Sequence, residues 1–400
     1  MIGPGWFPLL ALIIILAALF DQNWVVSVAI AVLALLSMAW LWTRYALRGV
    51  TYRRRWRYRR GFPGERFDLR VEVENAKPLP LSWLRVRDSW PRLVGPEDPQ
   101  VLAPTHILGQ GVLVNLYSLR WFQRATRTYA LLLRSRGYFP VGPYEIESGD
   151  ILGVFENEQR VENIEYITVF PELIPLKALR LPADDPFGDR RARRRRFEDP
   201  TQVMGVRDYY PEDDFRRVHW PATARTGTLQ VKQYQHVSAQ VMVVCLNVTT
   251  TAYHWLGTDA HLLEHLIKVC ATLVTQGMHD GYSVGLFSNG CLAHADQAFR
   301  IPPGRSRNQL AMLLQALAGV TSFTSGSFEW VLARAMPQLP YGATLVLVTA
   351  LVSPQLVDTL LHLRQYRPNI TLLTYNAGAV PRIPGVRVIE LPAAGAEQTA

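Results

Sequence analysis

Charged residues of both signs interleave with aromatic rings in one segment of the chain, GVRDYYPEDDFRRVHWPATARTGTLQVKQY, from Gly205 to Tyr234. Neither an amphipathic helix nor a solvated loop needs that mixture. A partly buried network of ion pairs and hydrogen bonds does: Arg207, Arg217 and Arg225 supply planar donors, and Asp208, Asp213 and Asp214 supply acceptors. Such networks are often structural, here a means of holding two domains together. The catalytic alternative is an acid–base pair of His219 with Asp213, which could meet across a turn. The sequence shows no accompanying nucleophile and no glycine loop to cradle phosphate.

A second pattern, His261, Glu264 and His265, has the H-x-x-E-H spacing of inverted zinc peptidases, with both histidines able to share one helical face. The same residues open a helix whose Leu262, Leu263, Leu266, Val269 and Leu273 suit it to covering a sheet, and no downstream ligand accompanies them. A metal-dependent hydrolase is therefore the alternative, and protein interaction without catalysis the main reading. Cys245, Cys270 and Cys291 are widely spaced and form no C-x-x-C pair, which reads as small buried residues in a reducing compartment.

The C-terminal half, which must position these residues, alternates in period. Strand-like runs at Val241–Leu246, Tyr282–Ser288, Ala343–Thr349 and Ile370–Tyr375 separate helical patterns at His261–Met278, Arg307–Ala318, Phe328–Met336 and Gln355–Tyr366. Short apolar strands alternating with helices imply a mainly parallel, doubly wound sheet, with ligands at the carboxyl ends of its strands. Upstream, alternating runs at Phe67–Val86, Val112–Phe122, Thr126–Leu133 and Ile164–Val169, broken by Gly and Pro clusters, predict a small β-sandwich.

At the N-terminus, residues 2–20 carry no charge, and a second uncharged run spans Trp24–Thr43, with Trp24, Trp40, Trp42 and Tyr45 at its ends. Each approaches the roughly 20 residues that a membrane-crossing helix needs. Only Asp21, Gln22 and Asn23 separate them, which predicts a tight transmembrane hairpin with both ends on one side. Eight arginines from Arg44 to Arg60 follow, so the positive-inside rule predicts a two-pass inner- or plasma-membrane protein with its soluble domains in the cytoplasm.

The net charge of +9 owes much to this cluster and to the run Arg190, Arg191, Arg193, Arg194, Arg195 and Arg196. Beside a membrane, contact with anionic lipid explains such clusters more simply than nucleic acid, for which no motif is present. The chain thus divides into a hairpin with a basic juxtamembrane segment (1–60), a β-sandwich-like domain (61–174), a charged linker (175–202), the mixed-charge segment (203–236) and an α/β domain (237–400).

The mixed-charge segment resembles the signature of the family known as domain of unknown function 58, approximately G-[VI]-R-E-Y-x-P-G-D-D-x-R-x-I-x-W-x-x-[ST]-A-R followed by a leucine and a valine–lysine pair. The matching positions are Gly205, Arg207, Tyr209, Pro211, Asp213, Asp214, Arg216, Trp220, Thr223, Ala224, Arg225, Leu229, Val231 and Lys232. Asp208, Glu212 and Pro221 depart from it, and Glu212 in place of glycine leaves the turn less free. Two N-terminal spans, a β-rich region ending in RGYFPVGPYEIESGDILGVF and a terminal α/β domain extend the likeness over essentially the whole chain.

The resemblance implies a last domain similar to a von Willebrand factor type A domain, whose metal site uses D-x-S-x-S, a later threonine and an aspartate after the fourth strand. Here the first loop reads Asn247, Val248, Thr249, Thr250 and Thr251, and Thr349 is followed by Ala350 and Leu351 where a carboxylate is expected. Asn247, Thr249, Thr251 and Thr324 thus form a degenerate metal-site loop that binds Mg²⁺ at most weakly, since a hard cation wants carboxylate charge. No other cofactor is expected.

The resemblance also implies partnership with a MoxR-type AAA+ ATPase, alongside other membrane-associated proteins, in assembly or maturation of envelope or other complexes. The interaction surface this predicts includes Arg207, Tyr209, Asp213, Asp214, Arg216, Trp220, Arg225 and Lys232 together with the strand-end loops.

Overall fold

A computed structural model of the chain describes residues 6–20, 22–151, 153–179, 181, 197–237, 241–251, 257–293, 295, 297–335, 343–364, 369–375, 378 and 380–392. It is a mixed α/β protein with several sheets, and it falls into two compact units that divide between Phe170 and Pro171. The arginine run 190–196 lies outside the described residues.

The first unit begins with helices α1 (Trp6–Leu19) and α2 (Asn23–Ala46). At 1.5 Å per residue, the 24 residues of α2 reach about 36 Å, more than the roughly 30 Å of a hydrocarbon core. By length and composition this helix can cross a membrane. Within the described residues α1 adds 14, about 21 Å. The two helices touch, with the Phe7 and Trp40 rings 6.2 Å apart.

Among the described residues, twelve strands follow: β1 (Val50–Trp56), β2 (Arg60–Gly61), β3 (Arg66–Asn75), β4 (Leu81–Pro91), β5 (Val94–Pro96), β6 (Leu102–Pro104), β7 (Gln110–Leu119), β8 (Arg124–Leu133), β9 (Gly137–Val141), β10 (Tyr144–Gly149), β11 (Glu156–Val161) and β12 (Glu165–Val169). They form sheets of order β1-β3-β8-β5 and β11-β10-β4-β7-β6, with a small sheet β2-β12-β9. Period-two patterning turns Leu69, Val71 and Val73 of β3 inward against Leu84, Val86 and Trp90 of β4, all fully or almost fully buried in one core.

Strand β1 corrects the assignment of residues 1–60 to a hairpin and a basic tail. The arginine-rich stretch pairs with β3 along its whole length, Val50 opposite Asn75 and Trp56 opposite Leu69. Its alternate residues Tyr52 and Arg54 are buried, and Arg54 forms an ion pair with Asp88 in which both side chains are essentially inaccessible, at 1% and 0% exposure. Arg55 and Arg59 pair with Glu72 and Glu165. Three of the eight clustered arginines are therefore bound to carboxylates of the sandwich.

The second unit contains a ribbon of β13 (Phe197–Asp208) and β14 (Gln230–Val237) and a larger sheet. Strand β13 starts inside the stretch 175–202, so that stretch is not wholly a linker: its last residues pair with β14, as Phe197 does with Val237. The larger sheet has β15 (Val241–Leu246), β16 (Ser283–Leu292), β17 (Ala298–Gly304), β18 (Val320–Thr324), β19 (Thr344–Val348), β20 (Ile370–Thr374) and β21 (Val386–Glu390), in the order β17-β16-β15-β19-β20-β21 with β18 beside β16. Strands β15, β16, β19, β20 and β21 run parallel.

The signature helix α3 (Trp220–Thr226) is followed by α4 (Ala260–His279), α5 (Gln309–Gly319), α6 (Phe328–Ala335) and α7 (Pro354–Arg364). Phe328 and Leu332 of α6 and Leu356 and Leu360 of α7 pack on Val243, Cys245, Leu345 and Leu347. Helix α4 lies against β15 and β16 and α5 against α4. The unbroken burial of β15 reflects cover on both faces, as its wholly apolar sequence implies. All three cysteines are buried, and burial pushes the Cys245 thiol up to about 12.

Candidate functional site

Between β13 and β14 the chain makes a compact tip whose turns are each fixed by a side chain. Arg207, at the end of β13, holds Asp213 with two parallel hydrogen bonds of 2.6 Å each. Asp213 also accepts the Tyr210 N–H at 3.0 Å. Asp214 caps the short turn Phe215–Arg217 by accepting the Arg216 N–H. His219 caps α3, its Nδ1 accepting the Ala222 N–H at 3.0 Å, and Gly227 ends that helix at φ +73°, which glycine adopts at least cost. Gln230 then ties the second strand back, donating from its side chain to Asp208 and from its N–H to the Thr223 hydroxyl.

His219 and Asp213 are thereby spent separately, one in a helix cap and the other in an arginine clamp, so they do not form the acid–base pair considered from sequence. The Arg207 hydrogen bonds and the Tyr210 N–H hold the Asp213 carboxyl down at about 2. Its ionised form is therefore favoured in the folded ribbon, and the clamp should stay charged until the pH falls through about 2. A carboxyl-carbon NMR titration of labelled protein should find Asp213 ionised at pH 4; half-titration at an ordinary aspartate value would show the clamp open in solution. Glu212, in place of the expected glycine, brings no positive φ, because Phe122 is the one described non-glycine residue that has it.

Anchored this way, the tip leaves large side chains in solvent. Trp220 is 61% exposed, and Tyr210 and Phe215 are exposed on the same segment, Phe215 with its ring against Tyr209. Arg216, Arg217 and Arg225 are exposed beside them, and Lys232 is half-buried on β14. Trp, Tyr and Arg on a rigid scaffold are the residues that carry binding energy at protein interfaces.

The carboxyl ends of β15, β16 and β19 carry the second set of candidates. The Asn247 side chain accepts the Thr249 N–H and the Asn289 amide at 3.1 Å each, and donates to the Thr349 hydroxyl at 3.0 Å. Asn289 accepts the Val248 N–H and donates also to the Thr249 hydroxyl. Thr349 in turn donates to the Leu351 carbonyl. Thr251 donates to the Gly257 carbonyl, and Thr324 lies opposite Gly290 at the exposed end of β18.

Asn289 is the member that sequence reasoning missed; its only signal was a polar Ser288-Asn289-Gly290 at the end of a buried strand. These neutral amides and hydroxyls direct their acceptor oxygens at N–H groups and bring no charge, so they do not fit a hard divalent cation. Among the described residues, no three His, Cys, Asp or Glu side chains converge on a possible metal position. Replacing Asn247 by Asp should remove the donor to Thr349 and cost about 1–3 kcal/mol by denaturant unfolding. The wild-type midpoint should be the same in EDTA and in millimolar Mg²⁺; a rise with Mg²⁺ would show that the loop binds the cation.

Next to this network is an open cleft of about 470 Å³ lined by Phe287, Phe299, Arg300, Ser325, Trp330 and Arg334 among others. Ser325 donates to the Asn289 carbonyl, so the cleft adjoins the strand-end network. The zinc-peptidase spacing on α4 is divided between two environments. His261 is exposed, whereas His265 is buried with its Nδ1 hydrogen-bonded to the Tyr375 hydroxyl.

Residues 205–367 match the model of the family described as "Protein of unknown function DUF58". The chain is 23% identical over 230 residues to the uncharacterized protein YeaD of Bacillus subtilis (strain 168), a match covering 57% of this chain and 52% of that protein. The chain thus spans about half the length of this curated relative. Among solved structures it is similar over 30% of its length to the CARDB domain of a Pyrococcus furiosus protein (91% of that chain, 13% identity, TM-score 0.20) and to a sporulation control protein of Bacillus subtilis (49% of that chain, 13% identity, TM-score 0.19).

Proposed function

We propose, from the premise that this chain belongs through residues 205–367 to the DUF58 family, that it is a membrane-anchored interaction protein whose ribbon tip and strand-end loops dock an AAA+ ATPase of the MoxR type. Helices α1 and α2 form a two-pass hairpin with the soluble units in the cytoplasm, which is the orientation the basic exit of α2 favours. The sheet of the second unit is doubly wound and of the von Willebrand factor type A kind, a reading supported by its parallel central strands and by the helices packed on them.

The observation that carries the proposal is the exposed Trp220, flanked by Tyr210, Phe215 and the exposed Arg216, Arg217 and Arg225 on a tip that Arg207, Asp214 and His219 hold in place. A surface preorganised in this way loses little entropy on docking. Its positive charge favours a partner with an acidic face and should speed association. The Asn247–Asn289–Thr349 network fits a binding role better than a catalytic one, because its polar atoms already satisfy each other.

Affinity capture of the detergent-solubilised chain from its native membrane tests the proposal, with wild type compared against Arg225→Ala and Thr249→Ala in the presence of nucleotide and magnesium. Recovery of an AAA+ ATPase with wild type and its loss in a variant is the expected result. Absence of any such ATPase from the wild-type capture would end the proposed partnership.

A further inference from the structure

We propose that the end of the sandwich from which α2 emerges rests on the bilayer, and that Trp121, Phe122 and Ile151 insert into its interfacial layer. The inference depends on α2 being the membrane anchor.

Strand register gathers one end of the sandwich at the foot of that helix. Val50 pairs with Asn75, Glu74 with Arg124, Leu81 with Leu119 and Leu84 with Ser148. Three hydrogen bonds tie this end to α2. Lys77 donates to the Ala46 carbonyl at 2.6 Å, the Thr43 hydroxyl donates to the Phe155 carbonyl at 3.4 Å, and the Asn157 amide donates to the Thr43 carbonyl at 3.4 Å. Thr43 directly follows Trp40 and Trp42, the aromatic residues that favour the headgroup level. The sandwich is thus attached at the depth where α2 leaves the hydrocarbon.

Two turns project from this same end. The turn between β7 and β8 exposes Trp121 (64%) and Phe122 (67%), and the turn between β10 and β11 exposes Ile151 (72%). Phe122 has φ +50°, a left-handed conformation that glycine or asparagine adopts at much lower cost. The turn is nevertheless firmly built. Phe122 N–H donates to the Lys77 carbonyl, Arg120 N–H to the Gln123 side chain, and the buried Asn75 to the Arg120 carbonyl. A bulky ring held exposed in a costly conformation is not explained by folding; burial in lipid explains it.

Charge at this end agrees. Arg48, Lys77 and Arg120 belong to this end; Glu74 is paired with Arg124, Asp150 is buried and accepts the Phe155 N–H, and the exposed acids among the described residues here are Glu156 and, two residues further along β11, Glu158. By contrast, Arg55 near the far end of β1 and Arg57 and Arg59 just beyond it lie roughly 20 Å from the helix exit, since the seven residues of β1 rise about 3.3 Å each. The lipid-contacting set is therefore apolar and local rather than the arginine run.

The test is depth-dependent quenching on the full chain in vesicles of 3:1 phosphatidylcholine and phosphatidylglycerol, with an environment-sensitive fluorophore on a single introduced cysteine. The native cysteines are buried and leave the label specific. Phe122→Cys and Ile151→Cys report on the docked turns, and Trp121→Cys repeats the reading should the Phe122 position disturb its turn. Leu35→Cys reports on α2. Leu108→Cys is the control, because Leu108 is completely exposed but lies at the opposite end of β7, about 30 Å away.

Doxyl-labelled lipid should quench the label at 35, 121, 122 and 151 at least twofold and leave 108 unchanged. If 121, 122 and 151 behave as 108 does while 35 is quenched, the helix is an anchor and the docking is wrong. Should 35 also escape quenching, the anchor reading fails and takes this inference with it.

Discussion

Replacing Asp88 by alanine will destabilise the sandwich by about 3–5 kcal/mol, the cost of taking from a buried guanidinium its hydrogen-bonded counter-charge and leaving only Glu165 at 3.8 Å. Arg54 Nε and Nη2 donate to Asp88 at 2.8 and 2.6 Å, Tyr52 donates to the same carboxylate at 2.7 Å, and the remaining Arg54 nitrogen reaches the Asn163 carbonyl at 3.1 Å. Burial, with Asp88 next, pushes the Tyr52 hydroxyl well above its ordinary value, so it remains a donor at every working pH.

Gly142 closes the site. A Cβ there would stand 2.4 Å from the Asn163 oxygen and 2.8 Å from Arg54 Nη2. Hydrogen exchange on the full chain in detergent should show the amides of β3 and β4 opening roughly two to three and a half orders of magnitude more often in Asp88→Ala. The triple variant Tyr52→Phe, Arg54→Met, Asp88→Leu should recover most of that loss, because no buried charge is left unpaired: the Asn163 carbonyl belongs to an exposed residue and Glu165 keeps Arg59. A single Asp88→Ala within 1 kcal/mol of wild type would mean that water reaches the pair.

Trp220→Ala should produce the largest effect on binding, about 2 kcal/mol or more, a loss of roughly 30-fold in affinity for the docked partner. The indole begins α3 and is mostly in solvent, so its removal should leave stability within about 0.5 kcal/mol. Arg216→Ala and Arg225→Ala should act differently, lowering the association rate and its dependence on salt more than the dissociation rate. Equal losses of stability and of binding in Trp220→Ala would show a structural residue in place of a contact.

The α/β half was legible because each buried strand is a short apolar run and each covering helix repeats at 3.6 residues: Val241–Leu246 is a strand to the residue, and His261–Met278 falls within α4. Strand β1 was not, because a run of arginines reads as a solvated tail whenever period two is not tested. The clue lay in β4. Leu84, Val86, Asp88 and Trp90 share the inward face, and a carboxylate at a core position requires a buried cation. Arg54 is the arginine at an inward position of the adjoining sequence. In the signature segment, Arg207 with Asp213 was readable as a pair, but caps such as His219 with Ala222 depend on local turns that residue types alone leave open. Asn289 entered the strand-end network from a strand whose extension beyond Ser288 no periodicity marked.

Docking at the ribbon tip can be measured by titrating purified MoxR-type AAA+ ATPase, with nucleotide and magnesium, against the full chain and its Trp220→Ala variant, each held in a lipid nanodisc. Wild type should bind saturably, and the variant should bind more weakly by roughly 30-fold or more at unchanged stability. Identical affinities for the two chains, or no binding to wild type, would contradict it.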